Sequence, residues 1–288
     1  NSKSILEKVK PNVIFCTEDP NPKVRSVQIA AKRRSIPIIC VPYGIGTGHK
    51  FELPFSVIDY FYSSGDLLSK SFVEAGVPEE KIKLVGITRF IKPKIDPYKI
   101  ELICSQYNIP KDKKIILVAS NAYYEYEPGI EGPWTLNEYK IWLEAIYNIS
   151  NKFLNVQLII KPHHSPRDPI YLHKKLKDSI NKNIIIIKEK ILLPEFISIC
   201  DIFVTWLSTT AIDALLLDKP VISFNLTDRE WRLPFVEYGA ALYVRNKNEL
   251  YSIIEGVISN NQEILKKLSS GRKKFIDGFF GRVNELNE

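Results

Sequence analysis

The chain has 288 residues, of which 45% are hydrophobic and 25% are charged, and its net charge is +7. This is the composition of a globular protein long enough for two domains, and no apolar run reaches the length of a membrane span. No signal peptide, nucleic-acid-binding motif or Cys/His metal cluster is visible. The basic balance therefore suits either an anionic substrate or membrane surface, or solvated helix faces alone.

The first 90 residues alternate short apolar runs with segments of helical spacing. Gly76 is a C-cap signal that closes one of these helical segments. The pattern predicts strands at 13–16, 36–42, 58–62 and 82–85, and helices at 24–34 and 66–75.

A second alternating series begins near residue 115. Before it, residues 87–97 carry two prolines and little periodicity, and we place a linker at 91–112. The second series predicts strands at 115–120, 156–161, 183–188, 201–206, 220–225 and 241–244, with helices at 136–150, 171–180, 193–199, 209–217 and 247–259.

Near-continuous Ile and Val strands that alternate with helices predict parallel sheets covered on both faces. The predicted fold class is α/β, with two Rossmann-like doubly wound parallel-sheet domains that face a cleft. We assign 1–90 to an N-terminal domain, 113–262 to a C-terminal domain and 263–288 to a C-terminal helix. Because the chain begins at Asn1 and contains no methionine, we expect a fragment or a processed form whose N-terminal domain is incomplete.

The segment 205–225, TWLSTTAIDALLLDKPVISFN, places three hydroxyl residues between a strand and a helix. Ligands bind at the carboxyl ends of the strands in such sheets, and the N–H groups of a helix start suit a phosphate. Ser208, Thr209 and Thr210 add hydroxyl donors there, although a Ser alone is also an ordinary N-cap. Asp213, one turn further among apolar residues, is suited to bind a ribose hydroxyl, because an acid in an apolar helix is costly without a partner.

Two adjacent histidines, His163 and His164, follow the predicted strand at 156–161. At that rim an imidazole can contact a phosphate and stabilise the charge that develops on a leaving group. A metal site is the alternative, but no acidic or Cys partner stands at ligand spacing. Lys161 is a further substrate-binding candidate, with a structural role as its alternative. His173 lies in a basic helix, and we expect it to be exposed and inert.

Loops after two other strands supply further candidates. Ser120 and Asn121 begin a long loop, 119–134, where they can bind a phosphate or a sugar. The acidic remainder of that loop is equally consistent with a solvated surface. Arg229, in the segment 225–232, is a candidate partner for a diphosphate or a carboxylate.

The stretch STTAIDALLLDKPVI resembles the nucleotide-binding segment of GT-B glycosyltransferases and their relatives, the glycerophosphotransferases of teichoic-acid synthesis and the UDP-N-acetylglucosamine 2-epimerases. The stretches LIIKPHHSPRD and FIDGFFGRVNELNE, and residues 11–44, are similar to other parts of these proteins in the same order. The resemblance covers nearly the whole chain. It implies that Ser208 and Thr209 hold the diphosphate of a donor and that Asp213 holds its ribose. It also implies that the domain 1–90 is the acceptor side and that the domain 113–262 binds the nucleotide sugar.

One segment departs from the patterns of these families. Residues 40–47, CVPYGIGT, stand where the 2-epimerases carry HVEAGLRT, so that Cys40, Pro42 and Gly46 replace the His, Glu and Arg of that motif. Many GT-B transferases carry QHG here, but this chain has Tyr43 before Gly44, and the candidate base is absent. His49 in the same loop is a candidate substitute, and its alternative is a plain surface histidine. Gly44 stays a substrate-binding candidate.

The resemblance implies a metal-independent GT-B-type glycosyltransferase without a separate cofactor. It would move a sugar, or a polyol phosphate, from a nucleotide-activated donor to a glycan or lipid-linked acceptor of the cell surface. Four widely spaced cysteines indicate buried thiols in a reducing cytoplasm, and we expect the protein there or in peripheral contact with the inner face of the membrane. The alternatives are a nucleotide-sugar 2-epimerase or hydrolase of the same fold and an inactive nucleotide-sugar-binding subunit.

Overall fold

The computed structural model describes residues 2–17, 22–42, 56–86, 91–121, 135–163, 170–180, 184–187, 193–206, 208–227 and 234–281. The chain divides into two compact units: unit 1 consists of Asn1–Ile91 and Lys274–Glu288, and unit 2 of Lys92–Lys273. Each unit is built on a parallel sheet. The predicted α/β fold class, with two parallel-sheet domains, is confirmed.

Unit 1 contains, in its described residues, a four-stranded parallel sheet with the strand order β1-β2-β3-β4. Helix α3 ends as Gly76 predicts: this residue has φ 90°, and the Val77 N–H bonds the Phe72 carbonyl oxygen at 3.0 Å. The elements of unit 1 are α1 Ser2–Val9, β1 Ile14–Cys16, α2 Pro22–Lys32, β2 Ile38–Cys40, β3 Tyr60–Ser63, α3 Asp66–Glu74 and β4 Ile82–Leu84.

The two faces of the unit 1 sheet differ in burial. Cys40 and Phe61 pack in the core, whereas Phe15 and Tyr60 on the other face are 62% and 42% exposed. This differs from the sequence-based expectation that helices cover both faces of each parallel sheet.

Asp59, the residue before β3, links this strand to α2 and β2 through its carboxylate. Its carboxylate accepts hydrogen bonds from Lys32 Nζ and, at 3.0 Å, from the backbone N–H of Ile38. Burial acts to raise the pKa of Asp59, but these two bonds and the lysine charge outweigh burial and lower it below its ordinary value.

Unit 2 contains, in its described residues, a six-stranded parallel sheet with the order β10-β9-β8-β5-β6-β7. Helix α4 lies within 91–112, which the sequence suggested as a linker, and contacts α8. The elements are α4 Pro97–Gln106, β5 Lys114–Ala119, α5 Leu136–Tyr147, α6 Ile149–Lys152, β6 Val156–Lys161, α7 Ile170–Ile180, β7 Ile185–Ile186, α8 Leu193–Ile199, β8 Ile202–Thr205, α9 Thr210–Leu216, β9 Val221–Phe224, α10 Pro234–Glu237, β10 Leu242–Val244 and α11 Lys247–Ile258.

The final helix, α12 Gln262–Phe280, passes from unit 2 into unit 1. Gly271 on this helix lies against the backbone of Gly239 and Ala240, so closely that a Cβ atom at Gly271 would overlap it. Glycine is therefore required for this approach of helix to loop. Among the described residues, no helix has both the length and the apolar character that crossing a membrane requires.

The core of unit 2 packs α5 against the sheet. Trp142 of α5 is fully buried, and its indole N–H donates to the Phe224 carbonyl oxygen at 2.9 Å. His173 of α7 is also fully buried, with its Nε2 3.3 Å from Tyr139 Oη and its Nδ1 3.0 Å from Tyr147 Oη. The prediction that His173 is exposed was wrong, because the two phenol groups satisfy the imidazole within the core.

Candidate functional site

In the unit 2 sheet, strands that follow one another along the chain are added first to one side of β5 and then to its other side. The strands β6 and β7 lie on one side of β5 and the strands β8, β9 and β10 on the other, so the direction in which strands are added reverses at β5. Because all the pairings are parallel, the carboxyl ends of β5 and β8 lie next to each other. In open α/β sheets ligands bind in the crevice outside such a reversal.

Hydrogen bonds join three strand ends at this edge. Thr205 Oγ1, at the end of β8, donates to the carbonyl oxygen of Ala119 at 3.0 Å. The backbone N–H of Ser120 donates to the Lys161 carbonyl oxygen at 3.1 Å, and the His163 N–H donates to Ser120 Oγ at 3.0 Å. We call these five residues the strand-end junction. Thr205 and Ser120 are 0% and 2% exposed, so the two hydroxyl groups of the junction are buried and hydrogen-bonded, whereas Lys161 and His163 are half-buried.

The predicted hydroxyl residues begin α9, but they are used unequally. The Ser208 N–H lies 3.4 Å from Thr205 Oγ1, which connects this turn to the strand-end junction. Ser208 Oγ bonds Thr210 Oγ1 and also accepts from the Thr210 N–H at 3.3 Å. Thr209 is exposed and makes no side-chain cap bond. The hydroxyl of Ser208 therefore bonds within its own turn, while the N-cap position of α9 is Thr209.

Asp213 lies in the first turn of α9 and is half-buried, while Ala211, Ile212, Ala214 and Leu215 around it are buried. Its position is one turn beyond the hydroxyl residues, as the sequence predicts. Asp213 is the one charged residue of α9, whose other residues are Thr210, Ala, Ile and Leu.

Asn121 directly follows Ser120 and has an unusual side chain. Its Oδ1 atom is buried and accepts no hydrogen bond in the described part of the chain. A buried carboxamide oxygen without a donor costs free energy, and such groups are rare in folded proteins. A ligand N–H or O–H group at this edge would supply the missing donor.

Lys161, the last residue of β6, and His163, two residues beyond it, are the half-buried members of the junction. Lys161 Nζ donates to the carbonyl oxygen of Pro162 at 2.9 Å, which favours its structural role. The predicted candidates His49, Gly44, His164 and Arg229 lie outside the described residues.

Two polar residues of this edge were given no role by the sequence analysis. Thr205 links β8 to β5, as described above, and Asn225 follows β9. Asn225 is fully buried, its Oδ1 accepts from the N–H and Oγ1 of Thr227 at 2.8 Å each, and its Nδ2 donates to Tyr243 Oη at 2.7 Å. The signal that could have found both is a polar residue at or near the end of an apolar run.

Metal-ligating side chains do not cluster in the described part of the chain: no group of three His, Cys, Asp or Glu residues there could hold an ion. What the strand edge offers a ligand is hydroxyl and amide groups, one half-buried imidazole and one carboxylate. This set matches a phosphate with an attached polyhydroxyl group.

Comparison with protein families gives a match over most of the chain. The family described as CDP-Glycerol:Poly(glycerophosphate) glycerophosphotransferase matches residues 35–284. Among curated proteins, the processive diacylglycerol beta-glucosyltransferase of Bacillus mycoides (strain KBAB4) is 23% identical over 279 residues, which cover 92% of this chain and 64% of that protein. The chain thus spans less than two thirds of the length of this relative.

Solved structures match the chain in fold. The UDP-GlcNAc 2-epimerase from Neisseria meningitidis, bound to UDP-GlcNAc, has a TM-score of 0.67 and 19% identity, with 96% of this chain and 78% of that chain covered. Anabaena Alr3699/HepE in complex with UDP-glucose has a TM-score of 0.62 and 14% identity, with 99% and 79% covered. The predicted GT-B-type fold is confirmed by these similarities.

Proposed function

The chain belongs to the CDP-glycerol:poly(glycerophosphate) glycerophosphotransferase family, and we propose that it transfers a sugar or a polyol phosphate from a nucleotide-activated donor to a surface-glycan acceptor. The observation that carries the proposal is the strand-end junction with the buried, unpartnered Oδ1 of Asn121 beside it. Relatives of the same fold were solved with UDP and UDP-sugars, which supports a nucleotide-linked donor.

In the proposed complex, the donor phosphates lie at the carboxyl ends of β5, β6 and β8. The Oδ1 atom of Asn121 accepts a hydrogen bond from an N–H or O–H group of the nucleotide-activated substrate, and Asp213 binds the ribose of that substrate. The imidazole of His163 contacts the phosphate that leaves with the nucleotide. Because that phosphate gains negative charge in the transition state, the contact should strengthen as the reaction proceeds.

The remaining parts of the proposal concern the acceptor and the catalytic base. The acceptor is a glycan or a lipid-linked glycan, and it docks mainly on unit 1. His49 is the proposed base, and transfer is direct and needs no metal. The buried thiol of Cys40 at the end of β2 replaces the histidine of the epimerase motif, which favours a transferase over a 2-epimerase.

A nucleotide screen with one matched pair of variants tests the proposal. The thermal midpoint of the protein is measured with UDP, CDP, CMP and GDP, since a ligand at about 100 times its Kd stabilises the fold by about 2.7 kcal/mol. Ser120→Ala removes the acceptor for the His163 N–H, so it should lower both stability and nucleotide affinity.

The control is Ser150→Ala. Ser150 is also buried and donates to a helix carbonyl oxygen, that of Tyr147, at 2.9 Å. This variant should lose similar stability and keep its nucleotide affinity. A protein that no nucleotide stabilises would contradict the proposal, and equal affinities of the two variants would contradict the location of the site. Product analysis then separates the activities, because transfer needs an acceptor, epimerisation does not, and a binding subunit forms no product.

A further inference from the structure

A second concave region lies in unit 2, at the amino-terminal side of its sheet. It is a cavity of about 730 Å³, bordered by the end of α4, the residue before β5, the start of β6, the last turn of α7 and the edge strand β7. Its volume is within the range of small-molecule sites. Nothing in the proposed transfer reaction uses it.

Two lysines of this cavity, Lys113 and Lys177, set it apart from an ordinary surface hollow. Both are half-buried, and neither has a hydrogen-bond or ion-pair partner among the described residues. The other half-buried lysines of the described chain behave differently: each donates to a backbone carbonyl oxygen, Lys81 to that of Ile58, Lys161 to that of Pro162 and Lys219 to that of Ser198. Two ammonium groups that border one cavity make it electropositive, and an anion bound there would gain from both charges.

The other residues that line the cavity are amides, apolar side chains and a tyrosine, and they favour an anion that also has an apolar part. The carboxamides of Gln106 and Asn108 add N–H donors, whereas Gln157 is only 3% exposed and its Nε2 donates to the Leu158 carbonyl oxygen at 3.1 Å. None of the lining residues that the structure describes is acidic. The edge strand adds an apolar wall, residues 184–186, which are all isoleucine.

We propose that this cavity is a second ligand site, and that it binds a small organic phosphate. A phosphate monoester carries a charge of about −1.5 to −2 at pH 7 and has three acceptor oxygens, which matches two ammonium groups and several amide donors. A carboxylate would neutralise only one lysine. The isoleucine wall and the volume leave room for the organic part of the molecule, which gains free energy by burying apolar surface there.

This site is separate from the strand edge, where we place the donor. Lys113 precedes the first residue of β5, whereas Ser120 follows its last. A strand of six residues is roughly 17 Å long from its first Cα to its last, so a ligand in the cavity does not touch the strand-end junction. The proposal therefore does not depend on the proposed transferase activity.

The test uses the full chain and calorimetric titration with phenyl phosphate, whose ring probes the isoleucine wall. We expect saturable binding, and weaker binding of inorganic phosphate. The variant Lys113→Gln/Lys177→Gln should bind phenyl phosphate at least about tenfold more weakly, which corresponds to the loss of charged hydrogen bonds. Each single variant should show part of the loss, and the thermal midpoint of every variant checks that it folds.

Two controls locate the binding. Lys174→Gln/Lys175→Gln removes the same charge from exposed positions of the same helix, and it should change the Kd less than about twofold. Ser120→Ala alters the strand edge and should also leave the Kd within about twofold. The proposal is overturned if phenyl phosphate shows no saturable binding below about 10 mM. It is also overturned if both lysine pairs lose equal affinity, if only Ser120→Ala loses it, or if inorganic phosphate binds as tightly.

Discussion

Asn121→Ala should weaken nucleotide binding without destabilising the free protein. The Oδ1 atom of Asn121 is buried and has no hydrogen-bond donor in the described structure. Leaving such an acceptor unpaired costs about 1–3 kcal/mol, so its removal releases this cost, while the shorter side chain loses some packing. We expect the free energy of unfolding to stay the same or to rise by about 1 kcal/mol. Nucleotide affinity should fall about tenfold, because the ligand loses its acceptor.

Asn225→Ala provides the contrast, since the two asparagines follow the carboxyl ends of β5 and β9, two strands of one sheet that are separated by β8. Asn225 is fully paired through Thr227 and Tyr243, and its loss leaves these groups without partners. It should lower the free energy of unfolding by about 1–3 kcal/mol. Urea denaturation measures the stability of each variant, and calorimetric titration with the nucleotide that stabilises the protein most measures affinity. Asn151→Ala, an exposed position on α6, is the binding control.

The assignment of Asn121 to the nucleotide site is refuted if Asn121→Ala loses as much stability as Asn225→Ala and binds nucleotide as tightly as the unchanged protein does. That result would mean that Asn121 serves the fold and that its oxygen does not face a ligand.

The other predictions concern packing, pH and thiol reactivity. Gly271→Ala should lower the free energy of unfolding by about 2 kcal/mol or more, because its methyl group overlaps the backbone of the loop at Gly239. Gly256→Ala should lower it less, because its methyl group meets the end of the flexible Ile264 side chain, and urea denaturation of both variants measures the difference. Asp59→Asn should lower stability by about 1 kcal/mol at pH 7. Since the pKa of Asp59 in the folded protein lies below its ordinary value of 3.8, the difference in stability between the two proteins should persist above pH 3.8. It should disappear as the pH falls through the pKa of the folded protein, which thermal unfolding at a series of pH values measures. In the native protein Cys104, which is half-buried, should react with a thiol reagent at pH 8 before Cys200, because burial raises the pKa of Cys200 to about 12; mass spectrometry of labelled peptides identifies the site.

The strands could be predicted from sequence where burial is continuous. The prediction 156–161 coincides with β6, Val156–Lys161, because five of its six residues are buried and the apolar run has no ambiguous end. The helix α4 was missed for the opposite reason. Its start carries a helix signal, because the side chain of Asp96 accepts from the Tyr98 N–H and Pro97 is the first helical residue. The same Pro97, together with Pro93, suggested a linker instead.

The candidate site could be predicted in part, since the rule that ligands bind at carboxyl strand ends needs only the order of strands and helices along the chain. It drew attention to Ser120, His163 and Ser208. What the sequence does not contain is which strands are neighbours, and this places Thr205 of β8 against Ala119 of β5. Long-range pairing also explains the error at His173: a basic helix predicts exposure on average, but the buried face is decided by which residues α5 presents to it.

The most direct test of the proposed donor site is hydrogen exchange of the backbone amides, measured by mass spectrometry with and without the nucleotide that stabilises the protein most. We predict slower exchange in peptides that contain residues 119–121, 161–163 and 208–213, since a bound donor orders the strand ends and their turns. Peptides from the cavity around Lys113 should exchange as before. Saturating nucleotide that leaves these three segments unchanged, or that protects residues elsewhere in unit 2 instead, would contradict the claim that the donor lies at the strand edge.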